Sequence, residues 1–324
     1  MLQLLLGGSG SGKTTLLYQR IRARAEKGEK SILLVPEQFT SSTEGRIYRE
    51  LGDALSGMVE SFSFTSLAEK ILSTEGGAAV QTLSDAGRAV LVRRALEELQ
   101  DNVHYYHRHR RSAAFCQMAA QTIDELKSAG LSGRQLAQLA GACGAESGKL
   151  SELALIFQGY ETLLARSGMD PSDRLELAGA RLEEALARHS LPEFLRDRAV
   201  FIDEFDTFNA PKKRLLGALL AALPSVTVAL CDDGAPLLPG DLSLFSGAKQ
   251  VAAQLRQLAR KNGAEVAVPQ LLRKDLRHRN APGLAAVAEL LETGSCTADA
   301  PAGEVRLFAA PSREEEARAA AGAI

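Results

Sequence analysis

The 324-residue sequence holds four cysteines, Cys116, Cys143, Cys231 and Cys296, and none stands in a C-x-x-C pair. That scatter argues against a zinc site, an iron–sulfur cluster or a disulfide framework built within this chain, and it suits a reduced compartment. No excess of charge of either sign is present: the formal net charge is −2. Contact with nucleic acid therefore has to come from a local patch. No apolar run reaches the roughly 20 residues that a membrane span requires. The opening MLQLLL lacks both a charged flank and a cleavage signal. Together these shortages predict a soluble, cytoplasmic protein without membrane attachment. What is present is ordinary globular material: hydrophobic residues make up 45% of the chain, enough for a sizeable core. The length is comfortable for two domains.

Apolar periodicity divides the chain. Leu2–Leu6 is a continuous apolar run ending in glycine, as in a strand buried on both faces of a parallel sheet. TTLLYQRIRARAEKG then carries helical spacing and a Gly28 stop, and Ser31–Pro36 reads as a second buried strand. The three pieces form a βαβ unit. A third strand is expected near Met58–Ser63, with a helix behind it. From about residue 80 to 195, Leu, Ala, Glu, Arg and Gln dominate at helical periods, with Ser84 as an N-cap and Gly130 and Gly168 as stops. Strand signals return in RAVFIDEFDTF and Ser225–Asp233. The expected organisation is one α/β domain (residues 1–80 and 196–296) interrupted by an all-helical insertion (81–195). In the last stretch (297–324), Thr297–Glu304 reads as a linker, VRLFAA as a strand, and PSREEEARAAAGAI as a helix whose Ser312 and Glu315 form a capping box. This resembles the start of a second, truncated α/β domain, as in a piece of a longer polypeptide.

Two motifs carry chemistry. Gly7-x-x-x-x-Gly12-Lys13-Thr14 fulfils the phosphate-loop pattern between a buried strand and a helix. Glycines there let backbone N–H groups of Gly7, Gly8, Ser9, Gly10, Ser11, Gly12, Lys13, Thr14 and Thr15 turn toward an anion, and the helix N-terminus adds its dipole. Lys13 is placed to reach the β- and γ-phosphates of ATP, and the Thr14 hydroxyl to ligate Mg2+. The second motif, Asp203-Glu204-Phe205-Asp206, follows the apolar run AVFI. Asp203 would hold Mg2+ through water, and Glu204 would orient and deprotonate the attacking water. Lys13 and Asp203 are 190 residues apart, which disfavours a phosphate-loop kinase and favours a helicase-type motor with an insertion. Against a working motor, no γ-phosphate-sensing glutamine follows Asp232 and Asp233, and no adenine-reading segment precedes Leu2.

Candidate DNA contacts are less specific. VPEQFT after the second strand offers Gln38, Thr40 and Ser41 as donors to phosphate oxygens. HYYHRHRRS (His104–Ser112) interleaves Arg108, Arg110 and Arg111 with two tyrosines, which suits phosphate contact and base stacking. A solvated connection between helices explains that stretch equally well, and metal binding by His104, His107 and His109 lacks a carboxylate or cysteine partner. Arg277–Arg279 reads as solvated surface.

LLGGSGSGKTTLL, ILLVPEQFTSSTE, TIDELKSAGL, KLSELALIFQGYETLL and FIDEFDTFNAPKKRLLGALL, in this order, resemble the N-terminal part of the AddB (RexB) family. That resemblance implies a superfamily 1 helicase-like architecture with 1A- and 1B-like parts: a RecA-like P-loop NTPase sheet with a large helical insertion, then a second RecA-like domain. It implies pairing with an AddA-type motor and nuclease subunit, and processing of double-strand DNA ends for recombinational repair. It places an iron–sulfur cluster and a nuclease in the full-length family's C-terminal domain, none of whose residues are matched here. The acidic motif is often degenerate in this family, whereas Glu204 is present in this chain. The expectation is an ATP-binding, helicase-like region with little or no turnover by itself, because such a site draws an arginine from a second domain. The alternative is an autonomous superfamily 1 translocase.

Overall fold

The computed structural model describes residues 1–79, 81–99, 101–109, 111–144, 147–295 and 305–323. Strand β1 (Leu2–Gly7) leads through the glycine loop into helix α1 (Lys13–Ala25). Strand β2 (Ser31–Leu34) is followed by α2 (Thr40–Leu51), the short α3 (Asp53–Ser56), β3 (Val59–Phe62) and α4 (Phe64–Glu75). Five helices come next: α5 (Asp85–Glu98), α6 (Ala113–Ser128), α7 (Gly133–Ala140), α8 (Ser147–Ser167) and α9 (Pro171–Ala187). The chain then returns to β4 (Ala199–Ile202), α10 (Ala210–Ala222), β5 (Ser225–Cys231), α11 (Ser246–Lys261), β6 (Gln270–Leu272) and α12 (Pro282–Thr293).

The six strands form one parallel sheet in the order β3-β2-β4-β5-β1-β6. Side chains alternate faces along a strand, and both faces are covered. Leu2, Leu4 and Leu6 of β1, with Val200 and Ile202 of β4, join a core shared with α4, α9, α10 and α11. Leu5, Leu33, Ala199 and Phe201 point the other way, into a core with α1 and α2. This two-sided burial is why the strands read as unbroken apolar runs.

Of the five helices α5–α9, the first four have a core of their own, in which Val92, Phe115, Ile123, Phe157 and Tyr160 pack together. Helix α9 is the exception. Its Leu175, Ala178 and Leu182 belong to the sheet's core, and Arg174 forms an ion pair with Glu69 of α4. Ser84 caps α5 by accepting the Gly87 N–H, and Gly130 follows α6 with φ 83°, the left-handed turn that only glycine adopts without penalty.

One expected strand does not form. Val305–Ala310 has no strand conformation, and Leu307 and Phe308 are exposed. Helix α13 (Arg313–Ala323) follows, with no buried residue. Its Ser312 hydroxyl accepts the Glu315 N–H, which is one half of the expected capping box. A strand is stable only beside a partner, and among the described residues this segment has none. The linker expected at Thr297–Glu304, and Cys296, lie outside the described residues.

Candidate nucleotide site

Strand β1 ends at Gly7, and the loop closes by a hydrogen bond from the Ser11 N–H to the Gly8 carbonyl. Gly10 and Gly12 have φ of 80° and 88°, a region that costs about 1–2 kcal/mol per residue for side chains with a Cβ. Gly12 is also the N-cap of α1. No side chain caps that helix end, and no acidic residue stands in its first turn. A helix start without an acceptor leaves N–H groups pointing at the loop's mouth. The Ser11 hydroxyl is buried and has no hydrogen-bond partner among the described residues. Lys13 folds back so that its Nζ donates to the carbonyls of Gly7 (2.7 Å) and Gly8 (2.8 Å). Among the described residues it forms no ion pair.

The acidic motif lies two strands away, because β5 separates β1 from β4. Asp203 follows β4 directly; its N–H donates to Leu34 of β2, and its side chain is buried. Burial pushes the Asp203 carboxyl above its ordinary value, and the polar Thr14 side chain nearby offsets this only in part. Thr14 and the Asp203 carboxylate therefore face one cavity at the sheet's C-terminal edge. Glu204 has φ 65°, unusual for a residue with a side chain, and its N–H donates to Asp203 Oδ1 at 3.0 Å. Phe205 anchors the turn from the far side, its ring edge-on to Phe64 of α4 at 5.2 Å and stacked on Phe208 at 5.5 Å. Two buried aromatics thus hold Glu204 in a conformation that costs on the order of 1 kcal/mol.

Loop and acidic turn face a common cavity of about 680 Å3, whose lining includes Lys13, Thr14, Asp203, Glu204 and Gln38. Its walls suit a nucleoside phosphate. The uncapped helix start, the unpartnered Ser11 hydroxyl and an uncompensated ammonium suit the anion, and the oxygens of Thr14 and Asp203 suit a hard cation such as Mg2+.

The other residues singled out in the sequence sit elsewhere. Thr40 begins α2, and its hydroxyl donates to the Glu37 carbonyl. Arg108 and Arg111 are exposed on the helical insertion and do not line this cavity; Arg110 lies outside the described residues. The neighbouring tyrosines have structural ties. The Glu152 carboxylate accepts the N–H groups of His104, Tyr105 and Tyr106, and the Tyr106 ring stacks on Phe115 at 5.3 Å. No cluster of three potential metal ligands occurs among the described residues, around His104–His109 or elsewhere. Asp232 and Asp233 turn away: Asp232 accepts the Gly234 N–H, and Asp233 pairs with Lys249.

Two arginines at the cavity were not anticipated. Arg46 of α2 lies over the Tyr18 ring at 5.0 Å, and the Tyr18 hydroxyl is pushed up to about 12 by burial. Arg277 is exposed, as expected of solvated surface, and it also donates to the Ser9 hydroxyl of the loop at 3.0 Å. The usable signal was β6. A strand paired with β1 delivers whatever follows it to the same edge of the sheet, but QLL is too short to stand out.

A family model described as "ADDB, N-terminal" matches residues 4–288. Similar proteins, each named as the B subunit of an ATP-dependent helicase/deoxyribonuclease, occur in Desulforudis audaxviator (34% identical), Moorella thermoacetica (33%) and Symbiobacterium thermophilum (32%). Each alignment covers 100% of this chain but only 28%, 29% and 28% of those three relatives, respectively. The chain thus spans under a third of their length. No described helix is long and apolar enough to cross a membrane. With the family model matched over most of its length, the chain belongs to the AddB N-terminal family.

Proposed function

We propose that this chain is the ATP-binding, RecA-like and helicase-like region of the B subunit of an ATP-dependent helicase/deoxyribonuclease, a cytoplasmic complex that processes double-strand DNA ends for recombinational repair. The observation that carries the reading is that Thr14 and the buried Asp203 carboxylate line one cavity in front of the glycine loop. Glycine loops are common; a loop whose threonine shares a cavity with a buried acid two strands away suits a Mg–nucleotide. The names of the relatives support the complex, and with it an AddA-type partner and DNA as ligand.

In this reading Lys13 leaves the Gly7 and Gly8 carbonyls and takes the phosphates, while the backbone N–H groups of Gly8–Thr15 wrap them. Mg2+, when bound, neutralises phosphate charge; Thr14 would hold it directly and Asp203 through water. Glu204 is the residue to orient an attacking water and take its proton. Gln38 and Thr40, on the loop after β2, are placed for DNA phosphate contact, and Arg108, Arg110 and Arg111 would add a second contact on the insertion. The iron–sulfur cluster and nuclease of the family have no assigned residues in this chain.

The presence of Glu204 in the cavity also favours a second reading, an autonomous DNA translocase. Nucleotide binding and DNA-stimulated ATP hydrolysis, measured on this chain and on the full-length protein, separate the two. Binding with little turnover by the chain supports the subunit role. Robust turnover by the chain alone establishes the translocase. Absence of any binding overturns both.

A further inference from the structure

Residues 273–281, between β6 and α12, lie across the glycine loop. The Leu276 N–H donates to the Gly10 carbonyl at 3.0 Å, and Arg277 Nη1 donates to the Ser9 hydroxyl. The approach is close enough to need glycine: a Cβ on Gly10 would sit 2.7 Å from Arg277 Cβ, and one on Gly12 would sit 2.9 Å from Leu276 Cδ1. The strap is shaped from within. Asp275 accepts the N–H groups of Arg277 and His278 and bonds His278 Nδ1 at 2.8 Å. Those bonds, with the His278 ring beside it, hold the Asp275 carboxyl below its usual value after burial is set against them. Asp275 therefore serves the turn and does not pair with Arg277. Among the described residues no carboxylate lies within ion-pair distance of the Arg277 guanidinium, and a hydroxyl occupies only one of its five donors. Arg277 and Lys13 line the same cavity.

We propose that Arg277 is a nucleotide-binding residue, supplied by the same chain, which grips the polyphosphate of a bound nucleoside triphosphate alongside Lys13 while the strap covers the loop. The inference rests on the nucleotide reading given above. It changes what that reading requires, because a cation from within this region accompanies the loop lysine without any second domain. A guanidinium presents paired donors that match phosphate oxygens, and each such charge-assisted contact is strong. Gly10 and Gly12 then have two roles. Their positive φ shapes the nest, and their missing side chains let the strap lie flat on it.

The test uses the full chain and a fluorescent ATP analogue with Mg2+. Arg277→Ala is expected to weaken binding about tenfold, the scale of one charged hydrogen bond, and Arg277→Lys to recover part of the loss. Trypsin cleavage after Lys274, Arg277 and Arg279 is expected to slow when MgATP is added to the wild-type chain. Wild-type affinity in Arg277→Ala, in a preparation where Lys13→Ala has lost binding, overturns this inference and leaves the nucleotide reading intact. Strap cleavage that ignores saturating nucleotide also overturns it. A wild-type chain that binds no nucleotide overturns the reading beneath it and this inference together.

Discussion

The helical insertion and the C-terminal edge of the sheet treat buried charge in opposite ways. In the insertion, the buried Asp170 carboxylate and Lys127 answer each other, although the Nε atoms of Arg88 and Arg181 have no hydrogen-bond partner among the described residues. Lys127 reaches Asp170 at 2.6 Å and Asp173 at 2.8 Å, and Tyr160 donates to Asp170 at 2.6 Å. Burial alone would lower the Lys127 ammonium, but the two carboxylates outweigh it and the net shift is upward. At the sheet edge, Lys13 rests on carbonyls, the Ser11 hydroxyl has no partner, and burial raises the Asp203 carboxyl. Satisfied networks hold a shape; unsatisfied ones are completed by a ligand. The difference agrees with the proposed nucleotide site at the edge and with an architectural role for the Lys127 network.

Breaking the satisfied network produces the largest effect. Lys127→Met leaves Asp170, which is almost wholly buried, with Tyr160 as its one remaining side-chain hydrogen-bond partner among the described residues and Arg88 at longer range. Removing one partner of a buried pair costs roughly 3–5 kcal/mol, so the urea midpoint is expected to fall steeply. Nucleotide affinity of the folded protein stays unchanged. A midpoint within error of wild type would mean that the network contributes nothing to stability, and the comparison would lose one of its sides.

The mirror-image substitution is Lys13→Ala. Stability is expected to stay within about 0.5 kcal/mol of wild type, because Lys13 carries no ion pair among the described residues. Affinity for MgATP should fall on the order of 100-fold, the scale of two charge-assisted contacts. Calorimetric titration beside a thermal melt reads both quantities from one preparation. A large loss of stability with little loss of affinity would reverse the assignment of roles.

How much of this was legible in the sequence follows from the range of each interaction. Strands β1, β2, β4 and β5 were visible because two-sided burial leaves an unbroken apolar run. The loop was visible because glycine, lysine and threonine recur at fixed spacing for a backbone reason. That Thr14 and Asp203 share a cavity could be inferred only from strand-end logic, since 190 residues separate Lys13 from Asp203. Strand β6 was missed, being three residues long, and with it went Arg277. A basic tripeptide looks solvated until the strand before it is known to pair with β1. Val305–Ala310 erred the other way: its apolar pattern suits a strand, but a pattern supplies no partner. Arg46 carried no local signal at all, because its position over Tyr18 comes from the packing of α2 against α1.

A pH experiment sharpens the contrast at the edge. Asp203 has a raised folded-state value, so its contribution to stability is present below its unfolded value, about 3.9, and is lost as pH rises through the folded value. At neutral pH the ligand-free protein therefore carries a buried carboxyl group whose raised value opposes folding. Asp203→Asn is expected to raise the melting temperature at pH 7 without nucleotide. The gain should shrink toward zero as pH falls below 4, and the stabilisation of wild type by MgATP should be lost. A gain independent of pH would mean that the carboxylate's charge is not what the edge tolerates.

The smallest effect concerns the insertion's surface. Arg108 and Arg111 are exposed, and Arg108 sits in the turn His107–His109 beside Tyr106 and Phe115. If these arginines touch DNA, they do so through phosphates, because exposed guanidinium groups on a short turn have no rigid frame for reading bases. Replacing both with Ala should then weaken DNA binding modestly and uniformly across sequences. The slope of log affinity against log salt should fall by about 0.7 for each single-strand phosphate contact removed. Thermal stability should not change, since neither residue is buried. An unchanged salt slope would place this stretch wholly with the architectural half of the molecule, with Glu152 and Phe115 accounting for its conformation.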